Sequence, residues 1–175
     1  MLEKNTMNTK FTNNYMDNKN NISIKVRGVI MYDNKLLIVK HKETKYMALP
    51  GGHLEYGEDV VTCIKRELIE ELGVLPEIGK LLYINTFMGN KMVEYIEFFF
   101  EIKNGKDYVN IDDLKRTHAH ELEEILWVSP DSDIDILPKQ FNEDFKNNKI
   151  FEGETKFINE LDVKDYIYLE KPYLI

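Results

Sequence analysis

Residues 52–74 read GHLEYGEDVVTCIKRELIEELGV, a run in which a glycine-rich turn opens into an amphipathic helix. Pro50, Gly51 and Gly52 follow a short apolar piece at 46–49 that reads as a strand end. Paired glycines let the backbone turn tightly and approach a ligand with no side chain in the way. Glu58 and Asp59 then stand where negative charge favours the start of a helix, and Gly73 stands where one ends. The pattern predicts a helix over 58–72.

At about 100° per residue, Val61, Ile64, Leu68 and Leu72 form one apolar stripe, and Glu67, Glu70 and Glu71 share an arc beside it. Crowded carboxylates raise one another's pKa and resist joint ionisation. A hard divalent cation reverses that cost, and Mg²⁺ binds through a few carboxylates, waters and phosphate oxygens. A solvated helix face with an Arg66–Glu70 pair is the plainer reading of the same run. The glycine turn, the spacing to Glu58 and the closing glycine favour a site.

The run resembles the signature of the Nudix hydrolase family, G-x5-E-x7-R-E-U-x-E-E-x-G-U with U apolar, and agrees at every specified position. The resemblance implies the α/β class: a Nudix-type α/β/α sandwich with a mixed β-sheet between helices. It also implies Mg²⁺, with Mn²⁺ as an alternative, and metal-activated water cleaving a nucleoside diphosphate linked to another moiety, of nucleoside triphosphate, ADP-ribose or nucleotide-sugar type. Carried over, Glu70 and Glu71 become the leading metal ligands, with Glu67 a third ligand or the general base. The carbonyl of Gly51 or Gly52 completes the coordination, Arg66 orients the glutamates, and Glu58 buttresses Arg66. Members of the family often draw a further glutamate from a loop ahead of a tryptophan. Before Trp127 the candidates are Glu121, Glu123 and Glu124, with Glu121 first. A module that binds a nucleotide or metabolite without cleaving it is the alternative.

The rest of the chain sets limits on this reading. A net charge of −8 argues against a protein that wraps double-stranded nucleic acid, which needs a basic face, and leaves room for a small phosphorylated, nucleotide-like partner. The single cysteine, Cys63, excludes an internal disulfide, reads as packing and favours the cytoplasm. No apolar run has signal-peptide or membrane length. Residues 1–21 read as a mobile arm, 22–150 as the domain, and 151–175 as an extension packed on the domain or at a homodimer interface.

Strands are expected over 22–32 and 35–41, joined at Asp33-Asn34, and over 80–87, 93–102 and 121–128. A second helix is expected over 137–148. Arg27, Lys40 and His53 are candidates for binding substrate phosphate. Tyr83, Phe87 and Tyr95 are candidates for stacking a base.

Overall fold

The computed structural model describes residues 21–42, 46–89, 93–111 and 116–161. Apart from Asn21, the expected N-terminal arm lies outside the described residues, as does the extension beyond residue 161. Strand β1 (Asn21–Tyr32) turns at Asp33 and Asn34, both at positive φ, into β2 (Lys35–His41). Two left-handed residues are what a tight two-residue hairpin requires, and Asn and Asp tolerate them.

A two-residue strand β3 (Met47–Ala48) pairs with β2, and the glycine turn leads on to helix α1 (Val60–Leu72). Next come β4 (Ile78–Met88), β5 (Val93–Ile102), β6 (Leu122–Val128), helix α2 (Lys139–Lys146) and β7 (Lys156–Glu160). Single 3₁₀ turns occupy Gly105–Tyr108 and Ala119–Glu121.

The strands form one mixed sheet. β5 lies between β1, parallel to it, and β4, antiparallel to it, and β7 extends the sheet parallel to β4. β2 pairs antiparallel with β1 at the hairpin and carries β6 along its other edge. The expected sandwich is present. One core packs Cys63, Ile64, Leu68 and Leu72 of α1 against Val26, Ile30, Phe100 and Ile102, and the other packs Phe141 and Phe145 of α2 against Val29, Tyr83 and Phe99. Each fully buried Leu or Phe contributes roughly 1.5–3 kcal/mol of hydrophobic stabilisation. Among the described residues no helix is long and apolar enough to cross a membrane.

Helix α1 starts two residues later than expected. Asp59 caps it, its Oδ1 accepting from the amides of Val61 and Thr62 at 2.8 and 2.9 Å, while Gly73 at φ +76° closes the other end. Val61 is not part of the core and is 38% exposed. At 100° per residue Val61 and Glu71 lie equally far, about 40°, to either side of the midline between Ile64 and Leu68, so the angle admits Glu71 to the buried stripe and does not exclude Val61, which is exposed in the first turn of the helix.

Candidate active site

The glycine turn is laid along β1 as if it were a further strand. The Val26 amide donates to Gly52 O at 2.9 Å, the Gly28 amide to Pro50 O at 2.8 Å, and the Leu54 amide to Ile24 O at 3.0 Å. Gly51 sits at φ +131°, where a Cβ would collide with the Val26 carbonyl. A Cβ on Gly52 would lie 2.5 Å from the Glu67 carboxylate. The two glycines are therefore what allow turn and helix to close on one another.

Arg66 is the hub of that junction. Its Nε and Nη2 each donate to Glu58 at 2.9 Å in a two-point pair, and Nη1 donates to Glu67 Oε1 at 2.9 Å and Glu70 Oε2 at 3.1 Å. Nη2 also donates to the His53 carbonyl at 3.1 Å, tying helix to loop. The guanidinium holds Glu58 down to a pKa of about 2, and the carboxylates in turn raise that of Arg66.

Glu71 has a different setting. It is 3% exposed, its Oε2 accepts from the Gly51 amide at 2.9 Å, and His41 Nε2 stands 3.4 Å from Oε1. Burial, with the Glu67 charge adding, lifts its pKa to about 8. Burial also raises the pKa of Glu67.

Arg66, Glu67 and Glu71 line an open cavity of about 800 Å³ whose walls also bear Gly51, Gly52, Glu55, Glu121, Lys25, Arg27 and Lys42, whereas Glu58 and Glu70 are not on its wall. All four histidines of the chain, His41, His53, His118 and His120, line it too. His118 places Nδ1 3.4 Å from Glu70 Oε2, and its amide donates to the Glu70 carbonyl at 2.9 Å, which ties the segment before β6 to α1.

Arg27 is braced by Glu97, with Nη2 at 3.0 Å, and donates to the carbonyls of Leu49 and Gly51. His53 stays below its usual imidazole range through burial and the nearby Lys25 and Arg27 charges. Lys40 is absent from the cavity wall and pairs with Glu123 at 3.0 Å. Glu121 lies on the wall, half exposed, whereas Glu123 and Glu124 do not.

Among the described residues, no three carboxylate, imidazole or thiol groups already converge as a cation cage. Arg66 stands among the carboxylates instead. The donor set nonetheless suits a hard cation. It is all oxygen, and the Arg66 contacts engage only Oε1 of Glu67 and Oε2 of Glu70. A buried acid pressed by a like charge, as Glu71 is, gains most from a cation, and at Gly52 a side chain would fill the space beside the neighbouring Glu67 carboxylate.

Sequence reasoning missed Lys25, Lys42, His41, His118 and His120. The one available signal was the small number of histidines, each of the missed ones within three residues of a candidate already named, Lys40 or Glu121. Of the stacking candidates, Tyr83 is fully buried and donates to Asp144 at 2.7 Å, and Tyr95 is stacked on Phe87 at 5.0 Å.

The sequence model of the NUDIX domain matches residues 23–148. An ADP-ribose pyrophosphatase of Methanocaldococcus jannaschii is 41% identical over 63 residues, 34% of this chain and 37% of that protein. A MutT-like protein of Streptomyces ambofaciens is 37% identical over 70 residues, 38% of this chain and 46% of that protein. The chain thus spans less than half the length of these curated relatives. Among solved structures, the MutT protein from Methanosarcina mazei Go1 superposes with a TM-score of 0.60 at 23% identity, covering 74% of this chain and 96% of that one. That likeness speaks to the fold alone.

Proposed function

The chain belongs to the Nudix family, and from that premise we propose that it is a cytoplasmic hydrolase cleaving a phosphoanhydride bond in a nucleoside diphosphate linked to a further group. The observation that carries the proposal is the Arg66 hub, which gathers Glu58, Glu67 and Glu70, with Arg66, Glu67 and buried Glu71 on the wall of a cavity that Lys25, Arg27 and Lys42 also line. Carboxylates and cationic side chains lining one cavity suit a diphosphate whose charge is shared between protein and ion.

Glu70 and Glu71, with the Gly51 or Gly52 carbonyl, would hold Mg²⁺ or Mn²⁺, which leaves Glu67 free to act as the base. When bound, such an ion neutralises phosphate charge and eases deprotonation of water. Lys25, Arg27 and Lys42 bind the phosphate oxygens. Arg66 holds Glu67 and Glu70 in place, which spares the substrate that ordering cost. Glu67 accepts the proton of the attacking water, because burial moves its pKa toward neutrality, where a base is most effective. Glu121, which lines the same cavity, orients that water.

The names of relatives that match here point to ADP-ribose as one substrate to try. The test is hydrolysis of ADP-ribose, nucleoside triphosphates and nucleotide sugars with and without Mg²⁺. Glu67→Gln and Glu70→Gln should each lower turnover by at least ~10²-fold. Binding without product at any Mg²⁺ concentration would leave a non-catalytic module, and rates near wild type in either variant would refute that residue's role.

A further inference from the structure

A second cavity of about 250 Å³ adjoins the first and shares Lys25 and Arg27 with it. Its walls come from one face of three paired strands, where Lys25 lies opposite Glu97, Glu97 opposite Asn85, and Arg27 opposite Phe99. Leu49 and Phe87 supply apolar walls. Two polar groups there are nearly sealed from water: Asn85, 2% exposed, and Glu97, 7% exposed.

Asn85 Nδ2 donates to Glu97 Oε2 at 3.3 Å, which fixes the amide's orientation and leaves Oδ1 with no partner. Buried polar atoms are nearly always paired, so an orphan acceptor on a cavity wall calls for a donor from elsewhere. Glu97 has acceptor capacity left as well. Arg27 occupies Oε1, and among the described residues only Asn85 donates to Oε2. A carboxylate offers about four acceptor positions.

We propose that this cavity selects a planar base presenting two adjacent N–H donors, the lactam N–H and amino group of a guanine-type edge, which Asn85 Oδ1 and Glu97 accept. Adenine sets ring-nitrogen acceptors beside its amino group, and uracil flanks its one N–H with two carbonyls. Either would aim an acceptor at Asn85 or Glu97. Arg27, held by Glu97 and reaching the Gly51 carbonyl, joins this subsite to the phosphate cavity, so base choice and phosphate placement share one residue. The proposal rests on the hydrolase reading of the adjoining cavity and departs from the adenine nucleotide in the name of the Methanocaldococcus jannaschii relative.

The test is calorimetric binding of GMP, IMP, AMP and UMP to the full chain without added metal, so that nothing is cleaved. IMP retains the lactam N–H and lacks the amine. GMP should bind at least ~10-fold more tightly than IMP, AMP or UMP, since a site built to hydrogen-bond a group rejects analogues lacking it. Asn85→Leu, checked for an unchanged melting temperature, should bring the four within about 3-fold of one another. The comparison on wild-type protein stands even if that variant fails to fold. Equal affinities, a preference for AMP, or no binding by any of the four overturns the inference. Hydrolysis of diphosphate substrates without base preference sinks this inference alone, whereas guanine-selective binding with no hydrolysis of any substrate sinks the enzymatic reading alone.

Discussion

At Glu71 the fold buries a carboxyl beside Glu67, with the Gly51 amide as its hydrogen-bond donor. Its pKa in the folded chain is about 8 against an ordinary 4.5, so the folded state holds a proton that the unfolded state has lost. Stability from this group is complete below about pH 4.5 and drains away as pH rises through 8. Glu71→Gln should remove that slope, raising the melting temperature of cation-free protein at pH 8.5 by a few degrees while abolishing the gain from Mg²⁺. Thermal melts from pH 5 to 9, with and without the ion, read both effects.

Glu58 runs the other way. Arg66 depresses it to about 2, so its contribution is present above about pH 4.5 and is lost as pH falls toward 2. Glu58→Gln should flatten the acid limb of the same melting curve. Gly52→Ala tests the close approach of the turn. The added methyl meets the end of a flexible Glu67 side chain, so turnover should fall at least ~10-fold with a melting shift under about 3 °C.

At the scale of elements, α1 was the most legible part of the chain. Stripe, acidic arc and closing glycine each follow from 3.6-residue periodicity and cap chemistry, both local. Asp59→Ala should cost about 1 kcal/mol through the lost cap and lower the melting temperature by ~3 °C, with kcat/KM nearly unchanged because the carboxylates lie two turns on. What was not legible depends on register. Lys25, Glu97 and Asn85 are up to 72 positions apart, and only the pairing of β1 with β5 and of β5 with β4 sets them side by side. Lys40 shows the same gap from the other direction. It sits one residue from His41, yet strand alternation turns it toward Glu123 and away from the cavity.

For the molecule as a whole, the sign of the charge is a poor guide to the site. A chain of net charge −8 lines one cavity with every histidine it has and sets Lys25, Arg27, Lys42 and Arg66 there against Glu55, Glu67, Glu71 and Glu121, so the local balance differs from the overall one. Ion binding should register globally, because a ligand of the native state at 100 times its dissociation constant adds about 2.7 kcal/mol, roughly 5–10 °C in melting temperature for a chain of this size.

On the reading proposed above, the acidic edge of α1 grips a cation. Electron paramagnetic resonance during Mn²⁺ titration of the full chain at pH 7.5 counts bound ions directly. At least one site should fill in the wild-type protein and weaken at least ~10-fold in both Glu70→Gln and Glu71→Gln. Uptake unchanged in both variants, or no uptake by the wild-type protein, would contradict it.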